Sequence, residues 1–180
     1  MLKKIYFTFL FLFTAFLVNS QVVINEYSAS NFDSHLDNYG EYEDWVELYN
    51  TTNSDIDLNG WSLTDKPSNL SKWSFPGSFI VSANSVAIVY CSGLNELVGG
   101  VAHTNFKITQ TKAGEVFVLS DASGNIIDSA RAVPAQKSHS RGRDVNGGTT
   151  WSVFTSATPN TNNSGAMLEY APLPIFSQSS

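Results

Sequence analysis

Gly40-Glu41-Tyr42-Glu43-Asp44-Trp45-Val46-Glu47-Leu48-Tyr49-Asn50 is the stretch on which the fold turns. Its second half alternates: Val46 and Leu48 fall on one side, Trp45, Glu47 and Tyr49 on the other. A period of two with branched and aromatic residues fits a pleated strand and no helix. The carboxylates Glu41, Glu43 and Asp44 lead into that strand. Two identities follow: the central strand of a β-sandwich, or that strand with a cation site at its mouth.

Upstream, Val22 to Tyr27 reads as a first strand, and the polar Ser28 to Asn38 as a loop. Downstream, Thr51 to Asp55 and Asn59-Gly60 are turn signals, the second a strong one. Trp61 to Thr64, Lys72 to Phe75 and Val86 to Cys91 then read as strands, with Phe79-Ile80-Val81 leading into the last. Ser92 to Thr104 reads as mostly loop and Phe106-Lys107-Ile108 as a short strand. Gly114 to Leu119 and Ile126 to Ala130 flank the hairpin turn Asp121 to Asn125, and Ser138 to Arg141 and Trp151 to Phe154 close the domain. No window after residue 20 carries helical spacing. Eight to ten short strands separated by turns predict an all-β sandwich or barrel.

The ends have another character. Lys3-Lys4, an apolar run from Ile5 to Val18, and Asn19-Ser20 before Gln21 form the pattern of a secretory signal peptide over 1–20. The run is shorter than the ~20 residues that span a bilayer, so the expected product is exported, with no transmembrane segment after cleavage. Residues 21–160 are the expected domain. Thr155 to Ser164 reads as a linker, and 161–180 as linker plus the opening of a further, truncated β-module.

Formal charge is −6, and −8 once Lys3 and Lys4 are removed. An acidic domain lacks the basic footprint that phosphate backbones require, which argues against nucleic-acid binding through this module. The one cysteine, Cys91, excludes an internal disulfide and reads as a buried thiol.

At this point the residues resemble the lamin-tail domain family, specifically its secreted bacterial branch. The resemblance rests on Ile24-Asn25-Glu26-Tyr27, on 40–50, on Asp57 to Asp65, and on Lys72 to Pro76. It continues with His103 to Ile108, Ser123 to Ser129, Ser140 to Arg143, Asn146-Gly147, Trp151 and Thr158-Pro159-Asn160. It implies an immunoglobulin-like antiparallel β-sandwich with no catalytic role. The implied function is that of an exported binding or attachment module, engaging a protein or a cell-surface polymer. Such modules accompany catalytic domains in exported proteins, so a fragment of an exported hydrolase is a further reading.

Candidate sites are few. Asp33, Asp37, Glu41, Glu43 and Asp44, with Asn38, supply oxygen donors of the kind Ca²⁺ requires, although their spacing matches no EF-hand. Solubilising and turn-forming roles are the alternative. Glu47, mid-strand, is either exposed or paired, with Arg131, Arg141 or Arg143 as available partners, and a structural pair is favoured over a general-acid role. His35, His103 and His139 lack the spacing of a zinc site, and His103 predicts a loop hydrogen bond. No serine sits in a nucleophile motif, so no enzyme and no cofactor are expected. Trp45, Trp61, Trp73 and Trp151 are core residues or, in a glycan-binding accessory module, sugar platforms.

Overall fold

The computed structural model describes residues 21–109 and 115–171. The stretch 1–20, read above as a signal peptide, and the tail from 172 onward lie outside the described residues. Among the described residues there is no helix; thirteen short strands build three sheets.

The large sheet orders its strands as β13 (Trp151–Phe154), β12 (Ser140–Arg143), β1 (Val22–Ser28), β2 (Trp45–Asn50), β7 (Val86–Tyr90), β9 (Val101–His103) and β8 (Glu96–Val98). Facing it is a four-stranded sheet ordered β11 (Ile126–Arg131), β10 (Val116–Ser120), β4 (Ser62–Thr64) and β5 (Trp73–Ser74). A small ribbon, β3 (Ile56–Asp57) with β6 (Ile80–Val81), closes one end. Every pairing is antiparallel except β7 with β9.

Val46 and Leu48 of β2 lie in the buried interior with Ile24, Leu63, Phe117 and Leu119, contributed by both main sheets. Their alternates face outward, as the period-two reading requires. Trp73, Phe75 and Phe79 pack in series in the same core, the first pair tilted at 4.7 Å and the second stacked at 5.0 Å between ring centroids. Cys91 is fully buried, and burial pushes its thiol well above the ordinary range.

The first strand departs from simple alternation. Strict period two from Ile24 would aim Glu26 into the apolar interior and Tyr27 outward. A bulge between Ile24 and Glu26 inserts one residue, so that Ile24 pairs with Leu48 while Glu26 pairs with Glu47. The extra residue flips the side chains that follow it. Tyr27 therefore enters the core, edge-on to Phe117 at 5.0 Å. Glu26 comes to share the outer face with Glu47, away from a core where a carboxylate would be costly.

Two regions differ from the sequence expectation. Ser92 to Thr104, read as mostly loop, holds the β8–β9 hairpin, turned by Gly99 and Gly100 at φ 61° and 84°. Two successive positive φ values favour glycine in a two-residue hairpin turn. Phe106 to Ile108, read as a strand, contributes a single bridge from Lys107 to Ser92.

The segment read as a linker is held against the large sheet. Thr158 and Asn160 donate backbone N–H groups to Glu26 and Glu47, Asn163 is buried, and Met167 bridges to Val153. Packing thus continues past residue 160, and Arg141 forms a two-bonded pair with Glu169 at 3.0 and 2.9 Å. Composition misled here because Thr, Asn and Pro suit a free linker and a hydrogen-bonded strap equally well.

Candidate functional site

The 29–44 loop, joining β1 to β2, is organised on two short polar side chains. Asn31, 5% exposed, donates through Nδ2 to the carbonyls of His35 and Glu43 at 2.6 and 2.8 Å. Its Oδ1 accepts from Ser34 and from the amide of His35, while its own N–H donates to Asp44 Oδ1 at 2.9 Å. Asp37 Oδ1 accepts the amides of Tyr39 and Glu41 at 2.8 and 2.9 Å, and Gly40 turns the chain at φ 81°. Asn and Asp side chains that copy a backbone turn in this way order a loop without regular structure.

Ties to the sheet fix the loop further. The His35 ring lies parallel to Tyr90, with centroids 6.0 Å apart, and burial lowers its pKa, favouring the neutral ring. Tyr90 donates its hydroxyl to the Leu36 carbonyl at 3.1 Å, and its own burial pushes that hydroxyl up to about 12. Asn38 Oδ1 lies 2.7 Å from His103 Nε2, and Tyr39 donates to Glu96 Oε1 at 2.6 Å. His103 thus has the hydrogen-bonded role expected of it, with Ser92 Oγ 2.9 Å from its other nitrogen.

This ordered loop exposes large apolar side chains: Phe32 at 59%, Leu36 at 45%, Tyr39 at 52% and Tyr42 at 46%. Phe32 and Tyr42 line a hollow of about 260 Å³ that also meets Asn31, Asp44, Lys107 and Glu43. Lys107 pairs with Glu43 at 3.0 Å. Burial lifts the Asp44 carboxyl to about 6, against the opposing pull of the Asn31 amide. The carboxylates of this loop stand out in the sequence, while Asn31, Phe32 and Tyr42 do not. Exposed aromatics in a polar stretch were the available signal.

The five carboxylates read as Ca²⁺ donors are not brought together. Asp33 meets Ser138 and Lys137, Asp37 closes its own turn, and Glu43 is paired with Lys107. Asp44 accepts from Asn31, and Glu41 is exposed. Among the described residues no three acidic, histidine or cysteine side chains converge as a metal-holding group.

A second polar cluster lies under the 158–163 strap. Glu26 and Glu47, both fully buried, sit opposite one another on β1 and β2. Glu26 accepts from Ser140 Oγ at 2.5 Å and from the N–H and Oγ of Thr158 at 2.9 and 2.6 Å. Glu47 accepts from Asn25 Nδ2 at 3.0 Å and the Asn160 N–H at 2.8 Å. Burial raises the Glu26 carboxyl and pushes that of Glu47 up to about 8, the neighbouring Glu26 adding to the second shift. The arginine partner expected for Glu47 is absent among the described residues. Arg143 instead holds Asp128 at 2.9 Å, which also caps the Ile24 N–H, and Arg141 holds Glu169. Strand alternation placed Glu47 on the outer face correctly, but only the bulge and the strap explain its partners.

The tryptophans are packing residues to different degrees. Trp45 is fully buried with Ile88 and Tyr90, and Trp73 is buried in the main core. Trp61 and Trp151 pack against that core from its margin.

Two sheets closed over one apolar interior define an immunoglobulin-like β-sandwich. The chain matches the Lamin Tail Domain family over residues 18–133, more than half of its length, and belongs to that family. No curated protein matches the chain.

Proposed function

We propose that this chain is an exported, non-catalytic attachment module that engages a protein or polymer of the cell surface through its 29–44 loop. The carrying observation is the loop itself: four exposed apolar side chains on a backbone fixed by Asn31, Asp37 and Tyr90. Phe32 and Tyr42 share one hollow, and apolar groups exposed side by side favour an interaction surface, while a pre-ordered loop loses little entropy on binding. The aromatic rings supply contact area of the kind that dominates interface energetics. The buried carboxyls have the surroundings of structural groups, since protein donors already occupy their oxygens. Export is supported by the signal-peptide pattern at the start of the chain.

The test is retention of the purified full chain on envelopes of the cells that produce it, measured by sedimentation. Native chain should be retained, and a Phe32→Ser, Tyr42→Ser double variant of unchanged melting temperature should be lost to the supernatant. Equal retention of the two, or failure of the native chain to sediment, would overturn the reading.

A further inference from the structure

The outer face of the four-stranded sheet carries a different kind of surface. Strand register sets Ser74, Ser62 and Ser120 in one row across β5, β4 and β10. Their chain neighbours Trp73, Leu63 and Leu119 lie in the core, so alternation turns the three hydroxyls away from it. Above the row is a hollow of about 480 Å³, walled by Asn69 and Ser71 on one side and by Ala122 and Gly124 on the other. That volume lies within the range of small-molecule sites.

The hydrogen-bond inventory of the hollow is incomplete. Ser62 Oγ and Ser74 Oγ lie 2.8 Å apart. Ser120 is 1% exposed, and its Oγ has no hydrogen-bond partner among the described residues. A buried hydroxyl left in that state is costly, and such groups call for an explanation.

Charge narrows the ligand. Asp121 is the one ionisable side chain among those lining the hollow. Its oxygens already accept from the amides of Ser123 and Asn125 and from Asn125 Nδ2, at 2.9, 2.8 and 2.8 Å. An anion would meet no cationic partner there, and a cation would meet a carboxylate already engaged. Each serine hydroxyl both donates and accepts, the pattern that adjacent hydroxyls of a sugar ring complement. An apolar ligand would bury the same hydroxyls without partners.

We propose that this serine-lined hollow binds a neutral saccharide, whose hydroxyls pair with Ser62, Ser74 and Ser120. The site is separate from the 29–44 loop and stands or falls independently of it.

The experiment is amide chemical-shift titration of the isotope-labelled full chain with three neutral hexasaccharides: cellohexaose, laminarihexaose and chitohexaose. Hexagalacturonate is the anionic control. At least one neutral sugar should give saturable shifts at Ser62, Ser74 and Ala122. Ser120→Ala should weaken that binding about tenfold, the loss expected for one hydrogen bond. Ala122→Trp, which fills the mouth from an exposed turn, should abolish it while leaving the remaining spectrum in place. Absence of saturable shifts with all three sugars would overturn the proposal, leaving water as the partner of Ser120. Equal affinity in both variants, or shifts with hexagalacturonate alone, would overturn it as well.

Discussion

The two outer faces of this sandwich began with the same problem, polar side chains pointing away from a shared core, and met it differently. On the large sheet, Glu26, Glu47 and Trp45 are covered by the strap and the 29–44 loop until all three are fully buried. On the small sheet, Ser62 and Ser120 lie at the floor of an open hollow. Carboxylates with hydrogen-bond donors around every oxygen are part of the fold. On the small sheet Ser62 and Ser74 pair with each other, while the buried Ser120 hydroxyl takes no partner among the described residues. Burial of an acid in this protein is therefore a poor guide to chemistry, and the sharper guide is whether its partners come from the chain.

The largest effect should come from acidity on the covered face. The Glu47 carboxyl stands at about 8 in the fold, against roughly 4.3 in an unfolded chain. Between those values the folded state keeps a proton that the unfolded state gives up. Stability is then fully present below the unfolded value and is lost as pH rises toward 8, by at most about 1.4 kcal/mol per pH unit. Glu26 and Asp44, also raised, act in the same direction, while His35, lowered by burial, acts in the opposite one. Of the elements beside Glu47, β1 brings Glu26, β7 brings no acidic or basic side chain, and the 155–167 strap carries no charge. Denaturant unfolding from pH 5 to 8 should show this decline, and Glu47→Gln should flatten it. A stability that climbs equally in both proteins would mean that Glu47 is ionised in the fold.

Steric access to the same seam ranks next. A Cβ on Gly142 would lie 2.9 Å from Glu26 Cγ and 3.0 Å from the Asn25 carbonyl. Gly142→Val should therefore cost about 3 kcal/mol, as overpacking does, and expose the strap to protease. Near-native unfolding of that variant would show that the covered face can relax, which erases the contrast with the open one.

How far these faces could be read from the sequence follows from the range of the forces involved. The 45–50 strand was legible because alternation is local: Val46 and Leu48 declare the core without knowledge of the rest. The Gly60 turn and the 121–125 hairpin were legible for the same reason. Tyr27 and Glu26 were not, since a bulge is a property of two paired strands. The strap was invisible because its donors, Thr158 and Asn160, meet acceptors more than a hundred positions away. The 29–44 loop declares its acidity in the sequence, whereas the exposure of Phe32 and Tyr42 depends on how the loop packs. The serine row exists only in the register of three strands, so no single segment announces it.

The smallest effect is the one that separates the faces most sharply, because it asks for opposite signs from the same chemical change. Thr158→Val removes a hydroxyl that donates to Glu26 Oε2 at 2.6 Å, leaving a buried acceptor short of a partner; the expected loss is about 1–2 kcal/mol. Ser120→Ala removes a hydroxyl with no partner among the described residues, so unfolding free energy should stay level or rise by up to about 1 kcal/mol. Equilibrium denaturation of the two variants beside the native chain measures both. A loss of 1 kcal/mol or more on Ser120→Ala would mean that the hydroxyl is satisfied within the protein, and the small sheet's outer face would then be closed in the same sense as the large one.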